Sequence, residues 1–71
     1  MAYFYYLTPA DLIVRIRTKV RPSSKSKEIW TVEEFDGYTW NRPVFSEVSW
    51  KKLSTLKYIG KTKISERGAI I

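Results

Sequence analysis

The chain has to fold without covalent or metal cross-links, because its 71 residues include no cysteine and no histidine. Domains of this size usually add disulfides or a zinc site to a limited hydrophobic core. Here stability must come from apolar packing, from a partner chain or from a ligand. The composition suits packing, since 44% of the residues are hydrophobic and 15% are aromatic, and disordered chains are poor in such residues. We therefore expect one small domain over residues 1–71.

The missing residue types also exclude several classes of enzyme. Without cysteine and histidine there is no thiol nucleophile, no Ser-His-Asp triad and no ordinary zinc site. Carboxylates remain for acid–base catalysis, but Glu33 and Glu34 are adjacent on a predicted strand and point to opposite faces. The three glycines are too scattered for a phosphate-binding loop. The sequence predicts a protein that is not an enzyme and that uses neither a cofactor nor a metal.

Nothing in the sequence predicts insertion into a membrane. There is no run of 18 apolar residues, which a transmembrane helix needs. Residues 1–7 are apolar but carry no basic segment, and Thr8-Pro9 interrupts them, so they do not have the pattern of a signal peptide. We expect a cytoplasmic protein, which agrees with the lack of cysteine.

The clearest secondary-structure signal lies between Leu12 and Val20. Apolar or small residues alternate there with Arg15, Arg17 and Lys19, and many of the residues are β-branched. This period of two is typical of a half-buried strand, so we predict a strand over 12–20.

The segments on either side of this strand have different patterns. Residues 3–7 predict a short strand, followed by a turn or one helical turn at 8–11. Because neighbours on a strand point to opposite faces, its four successive aromatic residues cannot all be buried. The polar stretch 21–27 predicts a flexible basic loop.

A hairpin is predicted around Asp36-Gly37, which separates two β-prone runs. With a two-residue loop, Phe35 would face Tyr38 and Glu33 would face Trp40. The same register would place Thr31 opposite Arg42 and Ile29 opposite Val44.

A helix is predicted from Ser46 or Ser49 to about Tyr58, because apolar residues follow at spacings of three and four and Gly60 could end the helix. A short strand should follow over 61–64. The resulting fold class is α+β, a small twisted antiparallel sheet of about four to five strands with one short helix. The alternative is a small SH3-like β-barrel in which 46–58 is a helical connection. The predicted core consists of Phe4, Leu12, Val14, Ile16, Val32, Phe35, Phe45, Leu53, Leu56 and Ile59.

The net charge of +6 is unevenly distributed along the chain. Residues 15–27 contain six basic residues and no acidic one, residues 28–47 contain five acidic residues and one arginine, and residues 48–71 contain six basic residues and one glutamate. The net charge is evidence for phosphate binding only if the two basic blocks meet on one face, away from 33–36.

The candidate contact residues are basic and aromatic. Such side chains could follow a phosphate backbone and stack on unpaired bases. The competing interpretation is structural, since basic residues protect strand edges and stabilise helix C-termini. The predicted nucleic-acid contacts are Arg15, Arg17, Lys19, Arg21, Lys25, Lys27, Lys51 and Lys52. The predicted aromatic contacts are Tyr38, Trp40 and one of Tyr3 and Tyr5.

These observations favour a non-enzymatic accessory protein that binds DNA or RNA without sequence specificity, through the basic arm at 15–27 and the lysine-rich C-terminal third. The alternative is a protein-binding regulator or inhibitor of a host complex, which could itself process nucleic acid. A third possibility is self-association through the surplus apolar surface. The profile is common among viral and mobile-element accessory proteins, by analogy and not by a shared motif. No membrane partner is expected.

Overall fold

The computed structural model describes residues 1–42 and 47–64. Within them, six strands and one short helix form a small antiparallel sheet with one helical turn, so the coarse architecture agrees with the prediction. The strands are β1 (Ala2–Leu7), β2 (Ile13–Thr18), β3 (Ile29–Phe35), β4 (Trp40–Asn41), β5 (Glu47–Ser49) and β6 (Lys57–Lys63), and helix α1 is Trp50–Leu53.

The sheet has the order β4-β3-β2-β1-β6, and β5 pairs with the first half of β3. All pairs are antiparallel. The register places Ala2 opposite both Thr18 and Lys63, whereas Leu7 lies opposite Ile13 and Lys57. The sheet therefore has two distinct ends, and the chain segments that follow β2 and β6 leave it at the same end as the start of β1.

One face of this sheet carries the core. Alternate residues of β1, β2 and β3 are buried there, and Leu53 of α1 and Val48 of β5 pack against them. The strand pattern was therefore correctly predicted for 13–18, although its outer residues Leu12 and Val20 are 42% and 68% exposed. The buried hydrophobic residues are Ala2, Phe4, Tyr6, Val14, Ile16, Trp30, Val32, Val48, Leu53 and Ile64.

Four of the predicted core positions differ in the structure or cannot be compared. Leu12 and Ile59 are exposed. Phe35 is half-buried on the face opposite the core, because it lies one residue out of phase with Trp30 and Val32. Phe45 lies outside the described residues.

The turn between β1 and β2 is closed by local hydrogen bonds. The Leu12 amide donates to Oγ1 of Thr8 at 3.1 Å, and the Thr8 amide donates to the Leu12 carbonyl at 2.9 Å. Asp11 adopts a positive φ of 63°, a conformation that aspartate tolerates better than most residues. These contacts agree with the turn predicted at 8–11 and exclude the start of a longer helix there.

The hairpin forms where predicted, but its loop is longer. Phe35 pairs with Trp40, so the loop is 36–39 and the expected pairing of Phe35 with Tyr38 is wrong. The Asp36 carboxylate explains the difference, because it accepts hydrogen bonds from the backbone amides of Tyr38 and Thr39 at 2.8 and 2.9 Å. Gly37, with φ of 101°, takes the backbone conformation that this loop needs.

The remaining hairpin pairs are also shifted. Ile29 lies opposite Ser49, and Thr31 lies opposite Glu47, so neither of the predicted partners, Val44 and Arg42, is in register. In the described residues, β3 pairs with β4 at one end and with β5 at the other. The predicted partner Val44 lies outside the described residues.

The predicted helix to Tyr58 is wrong in length, since α1 ends at Leu53. The hydroxyls of Ser54 and Thr55 donate to the carbonyls of Lys51 and Lys52 at 2.9 and 2.7 Å. Such side chains compete with the backbone for hydrogen bonds and favour the end of a helix. The apolar spacing still serves packing, because Trp50, Leu53 and Leu56 all contact the core.

Gly60 does not end a helix but lies within β6, which is longer than the predicted strand at 61–64. Its φ is 149°, and the pairing of β1 with β6 shifts between Tyr5, opposite Gly60, and Tyr6, opposite Tyr58. Glycine is the residue that adopts this backbone conformation without strain.

We predict that Gly60→Ala lowers the free energy of unfolding by about 1–3 kcal/mol, the usual cost of a residue held in a sparsely populated backbone region. Among the described residues, no atom beyond the chain neighbours lies within 4 Å of the added methyl group, so the cost is in the backbone. Urea unfolding measures it. The control is Lys61→Ala, an exposed change on the same strand, which should change the free energy of unfolding by less than about 0.5 kcal/mol. Equal losses in the two variants would contradict a special backbone requirement at Gly60.

Tyr6→Phe should raise the free energy of unfolding by about 1 kcal/mol at neutral pH, because the buried Tyr6 hydroxyl has no hydrogen-bond partner among the described residues. Burial also raises the pKa of Tyr6 above its ordinary value of 10.0, although the charge of Arg21 opposes this effect.

Because the pKa of Tyr6 is raised, the free energy of unfolding of the protein depends on pH in the alkaline range. Above about pH 10 the unfolded phenol loses its proton while the folded one keeps it, so the free energy of unfolding falls as the pH rises. The variant should show a shallower fall in urea unfolding between neutral and alkaline pH. Identical pH profiles would contradict the prediction.

Candidate nucleic-acid interface

A basic cleft of about 760 Å³ opens at the end of the sheet where β2 and β6 finish. Phe4 and Tyr58 supply aromatic surface. Among residues 1–42 and 47–64, no acidic side chain lines it. Its basic lining residues are Lys19, Arg21, Lys61 and Lys63.

The strand register brings these four side chains together. Lys19 and Arg21 follow directly after the last residue of β2, Thr18, which pairs with Ala2. On the other side of β1, Lys63 pairs with the same Ala2 and Lys61 pairs with Phe4. The two basic blocks of the sequence therefore meet across one end of β1.

Arg21 also stacks on the core. Its guanidinium carbon lies 3.6 Å from the centroid of the Tyr58 ring. Cation–π contacts at exposed sites are worth about 0.5–1 kcal/mol. This contact holds the exposed arginine over the mouth of the cleft.

The acidic hairpin lies at the opposite end of the sheet. Glu34 pairs with Val14 near the start of β2, and Asp36 follows at the hairpin tip. The backbone amides of Thr39 and Tyr38 donate hydrogen bonds to the Asp36 carboxylate and thereby lower its pKa. Its carboxylate therefore stays negatively charged at neutral pH, well away from the basic cleft.

The face opposite the core carries a second cluster, the aromatic face, formed by Tyr3, Tyr5, Phe35 and Trp40 around Arg15. The Arg15 guanidinium carbon lies 3.8 Å from the centroid of the Tyr3 ring and 4.1 Å from that of Trp40.

An ion pair holds Arg15 in this position. Its Nε donates to Oε1 of Glu33 at 2.9 Å. Opposite charges on adjacent strands stabilise the pairing modestly. Arg15 is thus engaged on the aromatic face, and the basic cleft lies on the other side of the sheet.

The other predicted contacts are dispersed. Arg17 is exposed beside Tyr3. Lys25 and Lys27 are exposed in the 21–27 loop, where residues 23–26 form a hydrogen-bonded turn; the flexibility of the loop stays a prediction. Lys51 and Lys52 are exposed on α1 and do not line the basic cleft.

The aromatic candidates are also separated. Tyr38 is 96% exposed at the hairpin tip, whereas Trp40 is half-buried on the aromatic face. Tyr3 and Tyr5, one of which is a predicted contact, both lie on that face.

Lys61 and Lys63 lie in the lysine-rich C-terminal third but were not named among the predicted contact residues, and neither was Tyr58. Alternation of lysine with threonine and isoleucine over 61–64 was the sequence signal that could have identified the two lysines. Their neighbours across β1 could not be inferred from spacing, because the pairing of β6 with β1 joins residues about 60 positions apart.

No group of three or more aspartate or glutamate residues in the described part of the chain has the arrangement of a metal site. Within residues 1–42 and 47–64, no helix is long and apolar enough to cross a membrane.

Comparison with known proteins finds no matching family model, no matching curated protein and no matching solved structure. The interpretation of the basic cleft therefore rests on its own geometry and charge.

Arg15→Lys should lower the free energy of unfolding by about 1 kcal/mol, because an ammonium group cannot stack over two rings as the planar guanidinium does. Urea unfolding gives the free energy, and near-ultraviolet circular dichroism reports the packing of Trp40. The matched control is Arg17→Lys on the same strand, which should change stability by less than about 0.5 kcal/mol. Equal effects of the two variants would refute a special role for Arg15.

Proposed function

We propose that the protein binds nucleic acid, without catalysing a reaction, by placing the phosphate backbone in the basic cleft. The observation that carries this proposal is the meeting of Lys19 and Arg21 with Lys61 and Lys63 around one cavity. Lysine and arginine contacts to phosphates release condensed counterions and give affinity that does not depend on sequence.

The position of the acidic hairpin supports the same function. Glu34 and Asp36 would repel phosphate, and they lie at the other end of the strands. A backbone held in the basic cleft therefore does not have to pass the hairpin.

The topology supports the SH3-like alternative as the finer description of the fold. β1 pairs with both β2 and β6, and the single turn of α1 connects β5 to β6. This arrangement has the short helical connection that the barrel alternative expects. It also leaves one end of the core open, where the basic cleft lies.

The test is fluorescence anisotropy with a labelled random-sequence strand, titrated with protein between about 50 and 200 mM salt. The double variant Lys61→Ala/Lys63→Ala should bind more weakly. It should also reduce the slope of log affinity against log salt by about 0.7 for each lost contact to a single strand.

The matched control is Lys25→Ala/Lys27→Ala, which removes the same charge from outside the cleft. It should lower affinity less and leave the salt slope nearly unchanged. Equal effects of the two double variants would mean that net charge, and not the basic cleft, determines binding. An absence of salt-dependent binding at micromolar protein would reject the function altogether.

One observation favours the protein-binding alternative. Tyr38 is almost fully exposed at a hairpin tip beside Asp36, and tyrosine is enriched among the dominant contacts of protein interfaces. A pull-down from nuclease-treated lysate separates the two functions. A stoichiometric partner retained by the wild type and lost by Tyr38→Ala would support the protein-binding regulator.

A further inference from the structure

A second cavity of about 270 Å³ lies next to the basic cleft, because Arg21 and Tyr58 line both. It is formed where α1 and the segment after β2 cover the end of the core. Trp50 and Leu56 contribute half-buried apolar surface to it. Its volume is just below the range of about 300–1,000 Å³ that is typical of drug-sized ligands.

Tyr6 lines this second cavity, and its hydroxyl is a buried polar group that the described residues do not satisfy. Tyr6 is only 3% exposed, and its hydroxyl has no hydrogen-bond partner in the described structure. Native proteins rarely leave a buried hydroxyl unpaired, because its lost hydration is not replaced. A ligand that supplies an acceptor would complete this site.

The chemical state of that hydroxyl is also defined. Burial raises the pKa of Tyr6, so at neutral pH the phenol keeps its proton and can donate a hydrogen bond. The required ligand is therefore small and flat enough for an aromatic cavity and carries a carbonyl or ring-nitrogen acceptor. Its neighbouring group must be an anion, because the adjoining cleft is basic.

We propose that the second cavity takes one unpaired nucleobase from a single strand whose phosphates lie in the basic cleft. This inference rests on the proposed function. Every nucleobase has an aromatic face and at least one hydrogen-bond acceptor at its edge. Arg21 and Tyr58, which belong to both cavities, would then lie where the base joins the backbone.

The inference determines which nucleic acid is preferred. A base inside a duplex cannot enter a cavity unless it leaves the stack, and extrusion costs unpairing and unstacking energy. A single strand avoids this cost. The protein should therefore prefer single-stranded to duplex nucleic acid, although a duplex presents more phosphates.

The experiment compares three labelled probes by anisotropy at about 50 mM salt, each about 12 nucleotides long. They are an oligothymidylate, a strand of equal length made of abasic residues, and a duplex of equal length. The oligothymidylate should bind at least about tenfold more tightly than the abasic strand, in line with the stacking of one base.

Tyr6→Phe tests the hydroxyl without removing the ring. It should weaken binding of the oligothymidylate by about fivefold, the effect of one hydrogen bond, and leave the abasic strand unchanged. The matched control is Tyr5→Phe, the same change on the opposite face of β1, which should bind both strands as the wild type does. Urea unfolding shows that each variant is folded.

The outcomes distinguish this inference from the function on which it depends. Equal affinity for the abasic strand and the oligothymidylate, with the salt dependence intact, would overturn the base site and leave the basic cleft as a phosphate site. Equal losses for Tyr6→Phe and Tyr5→Phe would also overturn it. No binding of any probe would overturn both proposals.

Discussion

The burial of a single sheet face is the constraint on which the rest of this structure depends. The chain has no cysteine that could form a disulfide. Three strands contribute their alternate side chains to one layer, and Val14, Ile16 and Val32 at its centre are almost completely buried. Because side chains alternate along a strand, every intervening residue points to the other face of the sheet. That second face cannot also be buried deeply in so small a chain, so aromatic rings packed around Arg15 cover it.

The small size of the chain also leaves one end of the core incompletely covered. Helix α1 has four residues and buries only Leu53 fully. Trp50 and Tyr58 consequently remain half-buried at the margin of the core. Both proposed sites lie at this margin, where aromatic and basic side chains line open cavities.

The sequence predicted features that appear as a repeating pattern or a turn dipeptide and missed those that depend on individual side-chain hydrogen bonds. Alternation was sufficient for β2, and Asp36-Gly37 marked the hairpin, but the loop length depends on hydrogen bonds to the Asp36 carboxylate. The length of the helix was overestimated, because apolar spacing does not show that the hydroxyls of Ser54 and Thr55 bind backbone carbonyls in the helix and favour its end.

The candidate site shows the same limit in a different way. Lys19 and Arg21 were selected as candidate contacts from local charge, and both line the basic cleft. Their partners Lys61 and Lys63 are brought to the cleft by the register of β6 on β1. No local pattern encodes that register, since it is determined by the packing of the whole sheet.

The separation of the acidic hairpin from the basic cleft has an electrical consequence. The six residues of β1 span about 17 Å at about 3.4 Å per residue, which is about twice the Debye length of about 8 Å at physiological ionic strength. Mobile ions therefore screen the two ends from each other, and the hairpin does not weaken the potential at the cleft. In dilute salt the screening length grows, and the hairpin then lowers the potential that a polyanion would meet at the cleft.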